Sequence, residues 1–337
     1  MPSVAVVRTR WLPVLVLGAL APVCAEYLWG YDDSTGHPGT LLGNLVIFTP
    51  LYGCPALLIR ELARRRGLGW PAIVLLAAAF GVVEAGVVDQ SMFARDYRGI
   101  PYWSDMADPT YVAPIGLSIF LAVTFVMNHV LASMVGPIAL VEGLAGRRGR
   151  DPWLGRPMIA VTVLLYVAAS AAVYADMLDT NGHAIASPGQ VAGASVAALL
   201  LVGAALGTGR LPHKLAAGGA PSAWLVAALS AAGAGATLVY GPSPLGTDAL
   251  IATYAVAAGL VWWLSRRSAW TPGHVAALAT GWLTAFAIGA FTTDPIGQVT
   301  MLEKAGHNVA LLLLVAAVGA IAVRRAGIKE GRVSVAG

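Results

Sequence analysis

The chain has 337 residues, of which 58% are hydrophobic and only 11% are charged, and its mean hydropathy is +0.73. A soluble globular domain carries roughly 25% charged residues, so this composition excludes an ordinary soluble domain and predicts an all-α integral membrane protein. The net charge of +4 follows from the topology described below, and no basic face with interleaved aromatic residues is present, so we predict no nucleic-acid partner.

Ten apolar runs recur along the chain, and each is long enough to cross a hydrocarbon core of roughly 30 Å as a helix. They lie near residues 11–29, 41–60, 69–92, 113–142, 153–177, 189–208, 221–240, 246–265, 271–292 and 304–324. The sequence therefore predicts a polytopic bundle of about ten transmembrane helices in the cell membrane, with the lipid bilayer as its main partner. The first run resembles a signal peptide, but its continuation through Trp29 favours a retained helix.

The basic residues indicate the orientation of the bundle. With a cytoplasmic amino terminus, the segments that face the cytoplasm hold 18 of the 21 Lys and Arg residues, and only Arg95, Arg98 and Lys304 lie outside. This is the positive-inside pattern, so both termini are predicted to be cytoplasmic. The run Arg64–Arg66 is interpreted as an anchor beside anionic headgroups.

The loops are too short to form a separate soluble domain, so residues 1–337 are predicted to form a single transmembrane domain. A cytoplasmic loop at 146–157 divides it. The half at 1–145 carries most of the polar intramembrane residues. The helices of 158–337 are rich in Ala and Gly, which permit close helix packing, and they are predicted to be scaffold.

Polar residues inside the apolar runs are the candidates for a functional site, because a charge at the bilayer centre costs about 2.5–3.5 kcal/mol. With a rise of about 1.5 Å per residue, two glutamates and two histidines fall within about 6 Å in depth, in the outer half of the membrane: Glu26, Glu84, His129 and His307. Glu84 is the catalytic candidate, and the candidate metal ligands are Glu84, His129 and His307. Further members of the predicted polar pocket are Glu26, Asn128, Asn308 and Asp89.

The sequence leaves both the geometry and the chemistry of this predicted pocket open. Asp89 follows Glu84 by five residues, which is about 140° around an α-helix, so the two are not expected to share a narrow face. Carboxylate and imidazole together suit a divalent metal such as zinc, a proton relay or a general base. The alternative is a buried hydrogen-bond network that only fixes helix packing.

Two neighbouring runs resemble the CPBP intramembrane metalloproteases, a group of CAAX-processing and bacteriocin-immunity-like membrane proteins. The stretch FVMNH at Phe125–His129 is similar to the FxxxH motif of that family, and VEAGVVD at Val83–Asp89 stands where EExxxR is expected. Glu84 matches the first glutamate, whereas Ala85 and Asp89 replace the second glutamate and the arginine. The third motif, a histidine followed four residues later by Asn or Asp, is not found, so the resemblance implies a degenerate relative.

Three functions follow as hypotheses. The first is a CPBP-like metal-dependent intramembrane hydrolase. The second is a proton- or cation-coupled transporter, in which Glu84 and His129 bind the cation. The third is a non-catalytic membrane subunit or immunity-like protein, whose polar residues hold the fold beside partner subunits. No GxxxxGKS loop for ATP is present, so a transporter would use a gradient or a partner subunit.

Overall fold

The computed structural model describes residues 9–208 and 216–327. Eight helices in these residues are long and apolar enough to span a membrane, and two shorter apolar helices bring the number to ten. In chain order they are α1 (Trp11–Ala25), α2 (Pro38–Arg65), α3 (Trp70–Val88), α4 (Ile119–Arg148), α5 (Arg156–Asn181), α6 (Pro188–Thr208), α7 (Ala223–Leu238), α8 (Pro244–Ser265), α9 (Pro272–Thr292) and α10 (Met301–Gly327). The predicted all-α membrane fold is confirmed, and each predicted run overlaps one helix.

Short elements connect these helices on the outer side. They are the single turns Tyr27–Trp29 and Ser91–Phe93, the short helix Trp103–Ala107, the turn Asp108–Thr110, and the strands β1 (Tyr111–Val112) and β2 (Leu117–Ser118). The two strands pair antiparallel, with Tyr111 opposite Ser118. The ring of Trp103 is buried and stacks on Phe125 of α4 at 5.7 Å, so this connection is packed onto the bundle.

Local sequence explains where the helices begin. Proline occupies the first turn of α2, α3, α5, α8 and α9, where its missing N–H is not needed. Ser118, Ser222 and Ser243 each cap a helix by accepting a hydrogen bond from the backbone N–H three residues later. Thr271 and His274 cap α9 with reciprocal bonds. These caps satisfy N–H groups that would otherwise be exposed at the ends of the helices.

The two ends of the described chain lie on the same side of the bundle. The backbone N–H of Arg10, before α1, donates to Trp153 O at 2.8 Å, and Arg325, at the end of α10, donates to Leu144 O at 3.1 Å. The first contact is made to the loop that divides the chain and the second to the end of α4 before it. That side carries most of the arginines, and by the positive-inside rule we call it the cytoplasmic side. The termini themselves, residues 1–8 and 328–337, lie outside the described residues, as do Arg210 and Lys214.

The packing separates an inner group of helices from a lipid-facing group. The core is built largely by α1, α2, α3, α4, α9 and α10. Gly281 of α9 lies against the backbone of Ala227 in α7, and Gly319 of α10 lies against Thr280, so small residues allow these helices to touch. By contrast, Leu164 of α5 and Leu199 of α6 are about 70% exposed, as expected of side chains that face lipid.

Three of the core helices are interrupted by a π-helical turn. The turns are Thr49–Gly53 in α2, Glu84–Val88 in α3 and His129–Val135 in α4. A π-helical turn widens the helix, because its backbone bonds join residue i to residue i+5, and such turns occur frequently at functional sites. Glu84 begins the turn in α3, His129 begins the turn in α4, and Tyr52 lies in the turn in α2.

Candidate intramembrane polar site

Glu84 begins the π-helical turn of α3, and the turn decides the position of Asp89. The backbone N–H of Asp89 donates to Glu84 O at 3.0 Å, which is an i+5 to i bond. Asp89 therefore lies above Glu84, and the predicted separation of about 140°, which assumed a regular α-helix, is wrong. The two carboxylates are close enough to repel each other.

The Glu84 carboxyl group is buried without a compensating partner. Glu84 is 1% exposed, and no donor among the described residues reaches its Oε2 atom. Its negative charge would be repelled by Asp89 and by Glu26. None of the ion pairs formed by the described residues includes any of these three carboxylates. An ionised Glu84 in this environment would be strongly disfavoured unless it bound a proton or a cation.

Glu26, just after α1, is held by two tyrosines. Tyr31 Oη donates to Glu26 Oε2 at 2.6 Å, and Tyr52 Oη donates to Glu26 Oε1. Tyr52 comes from the π-helical turn of α2, so this pair of bonds joins α1, α2 and the turn after α1. Glu26 thus has its hydrogen-bonding capacity largely satisfied, which distinguishes it from Glu84.

His129 lies among aromatic rings next to this pair. Its imidazole is nearly parallel to the ring of Tyr52, with centroids 6.0 Å apart, and Phe80 meets it edge-on at 5.6 Å. Its Nδ1 lies 3.3 Å from Ser133 Oγ, one turn further along α4. A Cβ on Gly81 would lie 3.2 Å from His129 Cβ, so α3 and α4 touch here, and Glu84 lies about one turn above this contact.

The structure therefore brings Glu26, Glu84, Asp89 and His129 into one region, connected through Tyr52; we call this the outer polar site. Asn128 adjoins it, and its Oδ1 atom is buried without a hydrogen-bond partner among the described residues. Asp89 lies one residue beyond the spanning segment of α3 and accepts a hydrogen bond from Ser91 N at 2.8 Å. Burial raises the pKa of Asp89 to about 6, so this carboxyl group can exchange a proton near neutral pH.

His307 and Asn308 make their contacts elsewhere on the outer side. His307 Nε2 lies 3.1 Å from Tyr27 O, and Asn308 Nδ2 donates to Ala290 O at 3.0 Å. Asn308 also packs against Gly30, where a Cβ would lie 2.8 Å from Asn308 Oδ1 and where the positive φ of 58° favours glycine. These contacts join α10 to the outer ends of α1 and α9, so they have a clear packing role.

The predicted metal ligands are not gathered around one point. Within residues 9–208 and 216–327, no group of three or more His, Cys, Asp or Glu side chains is arranged to hold a metal ion. Glu84, His129 and His307 accordingly do not form such a group. The zinc hypothesis stays a prediction, which the metal content of the purified protein can check.

An apolar groove approaches the outer polar site from the lipid side. It has a volume of about 480 Å³ and lies between α2, α3, α5 and α6. Phe80, Val83 and Tyr166 form part of its wall. Since Phe80 also contacts His129, its ring separates the groove from the polar side chains.

A second buried charged cluster was missed by reasoning from the sequence; we call it the cytoplasmic ion network. Arg60 is fully buried, and its guanidinium contacts Glu142 at 3.1 Å and Glu61 at 3.3 Å. The same group donates to the carbonyls of Gly149 and Asp151, both at 2.5 Å, and lies 3.5 Å from the ring centroid of Trp153. The remaining partners are Arg64 and Arg65, in the next turn of α2, and Arg65 Nε donates to Glu61 Oε1 at 2.7 Å.

Arg64 completes this network. It donates to both carboxylate oxygens of Glu142, at 2.7 and 2.6 Å, and its side chain is only 5% exposed. The interpretation of Arg64 as a headgroup anchor is therefore wrong, while Arg66 is exposed as that interpretation requires. The sequence does contain an indication of this pairing. Arg60 and Arg64 are one helical turn apart, and Glu142 lies at the cytoplasmic end of the fourth apolar run.

Comparison with known proteins gives a family but no activity. The chain belongs to an uncharacterized membrane protein family, whose model matches residues 15–328. No curated protein and no solved structure matches it.

Proposed function

We propose that this member of the family binds a proton or a small cation at Glu84 and uses the outer polar site for cation-coupled transport across the cell membrane. The observation that carries the proposal is the burial of the Glu84 carboxyl group beside Glu26 and Asp89, with no cationic side chain of residues 9–208 and 216–327 paired to it. Ionisable residues in such positions mark ion and proton pathways in membrane proteins.

Two further features support the proposal. The rings of Tyr52, Phe80 and His129 lie against one another in the region below Glu84. Aromatic faces attract cations most strongly where water is excluded, so this surrounding is compatible with a bound cation. Each of the three helices that meet there contains a π-helical turn, where the backbone bonding pattern changes and the helix can be remodelled. Asp89 would exchange protons between Glu84 and the outer side.

The proposal is tested by electrical recording on protein reconstituted in liposomes and adsorbed to a solid-supported membrane. A step to acidic pH, or addition of Na⁺, is expected to move charge in the wild type. Glu84→Gln should lose this movement, whereas Asp248→Asn should retain it, because Asp248 is exposed on α8. Equal charge movement in wild type and Glu84→Gln, with both proteins folded, would reject the proposal.

A metal-dependent hydrolase is the second candidate, and the packing of α3 on α4 near Glu84 and His129 is the observation that favours it. A zinc-bound water would supply a nucleophile at neutral pH. Mass spectrometry of metal content separates the two functions. Near-stoichiometric zinc that disappears in both Glu84→Gln and His129→Ala supports the hydrolase, and charge movement without bound zinc supports the cation site.

A further inference from the structure

A cavity at the cytoplasmic end of the bundle lies beside the cytoplasmic ion network. Its volume is about 250 Å³, and it lies between the inner ends of α3, α4 and α9. Its apolar wall includes Trp70, Ala139 and Val275, and its polar wall includes Glu142, Arg147 and Arg150. The cavity therefore joins an apolar surface at membrane depth to cationic groups at the water interface.

The charge balance around this cavity is positive. Both oxygens of Glu142 are already occupied by Arg60 and Arg64, so this carboxylate is neutralised within the network. Asp151, the nearby acidic residue of the loop, pairs with Arg10 at 2.9 Å. Arg147 and Arg150 line the cavity, are exposed to water and form no ion pair with the described residues, so no carboxylate among those residues neutralises their positive charge.

The backbone around the cavity adds to this positive potential. Pro272 and Val275, in the first turn of α9, both line the cavity, so the positive end of the helix dipole lies at its edge. Three glycines at the end of α4 and in the loop after it also line the cavity, so backbone without side chains forms part of its wall. They are Gly143, Gly146 and Gly149. Arginine is the side chain best suited to phosphate, since its planar fork can donate two parallel hydrogen bonds.

We propose that this cavity binds a phosphate-bearing anion, held by Arg147 and Arg150 with Trp70 and the start of α9 as its other walls. The phosphate can belong to the headgroup of an anionic phospholipid, whose acyl chains would leave along the apolar wall, or to a soluble phosphate compound. The site lies on the opposite side of the membrane from the outer polar site and is independent of the function proposed for it.

The test compares binding of two probes to the full-length protein in nanodiscs of phosphatidylcholine. The first probe is phosphatidylglycerol added to the bilayer, and the second is inorganic phosphate in the buffer. Binding is measured by the rise in the thermal unfolding midpoint, which follows ligand occupancy of the folded state. The double substitution Arg147→Gln/Arg150→Gln is expected to weaken binding by about tenfold or more.

The matched control is Arg148→Gln/Arg156→Gln, which removes the same charge from exposed positions that do not line the cavity. It should bind like the wild type. A response to phosphatidylglycerol alone identifies the headgroup as the source, and a response to inorganic phosphate identifies a soluble ligand. Equal loss in both double variants would show general surface electrostatics and overturn the proposal, as would the absence of any response in folded wild type.

Discussion

Carboxylates are buried at both ends of the helix bundle. Those at the cytoplasmic end have cationic partners, whereas those of the outer polar site form no ion pair with any residue that the structure describes. In the cytoplasmic ion network, Glu61 and Glu142 are bound by arginines of α2. In the outer polar site, Glu84 has an unpartnered oxygen and two carboxylates as neighbours. Both arrangements cost desolvation energy, but among the described residues only the first has ion pairs that offset part of this cost.

This difference in pairing suggests different roles: stability for the cytoplasmic ion network, and the proposed function for the outer polar site. A compensated network holds elements together, and here it joins α2, α4 and the loop that divides the chain. An uncompensated carboxyl group contributes no such bond, and for this reason the proposed function places a bound proton or cation at Glu84. The following substitutions test this contrast, in order of expected effect on stability.

The largest effect is expected for Arg60→Met, which removes the buried guanidinium at the centre of the cytoplasmic ion network. Glu61 loses one of its partners, Glu142 keeps only Arg64, and two carbonyls lose their donor. Breaking a buried pair by removing one partner costs about 3–5 kcal/mol. Reversible unfolding in SDS measures the free energy of unfolding. The control is Arg66→Met, at an exposed position, which should change the free energy of unfolding by less than about 0.5 kcal/mol. An equally small change for Arg60→Met would show that the cytoplasmic ion network does not stabilise the fold.

An intermediate effect is expected for Tyr52→Phe, which leaves the ring in place but removes the hydroxyl that donates to Glu26 Oε1. The buried acceptor keeps Tyr31 as a donor to its other oxygen, so we expect a loss of about 1–2 kcal/mol. The same SDS titration measures it. Tyr174→Phe is the matched control, since the Tyr174 side chain is exposed on α5. If both variants unfolded alike, the bond to Glu26 would have no role in stability.

The smallest effect on stability is expected for Glu84→Gln. The substitution removes a buried ionisable group that has no ion-pair partner in the described part of the chain, and glutamine has nearly the same volume. The free energy of unfolding should stay within about 0.5 kcal/mol of the wild type or increase slightly, while the charge movement proposed above is lost. A loss of several kcal/mol would instead assign Glu84 a structural role comparable to that of Arg60.

Reasoning from the sequence located most of the outer polar site but not its internal arrangement. Glu84, His129 and Glu26 were selected because their depths along separate helices agree, and depth can be counted from the sequence. The partners were not predictable, because Tyr31 and Tyr52 reach Glu26 through contacts between different elements. His307 was selected by the same depth argument, yet it contacts the carbonyl of Tyr27, since depth gives no lateral position.

The sequence by itself determined that this protein is a bundle of about ten apolar helices with most of its arginines on one side. Those features depend on the length of each apolar run and on the asymmetry of charge, which are properties of single segments. Only the tertiary structure decided that Arg60 and Arg64 are buried against Glu142, that a π-helical turn places Asp89 above Glu84, and that His129 packs on Tyr52. These depend on which faces of different helices meet, and on local changes in helical period that residue type alone does not specify.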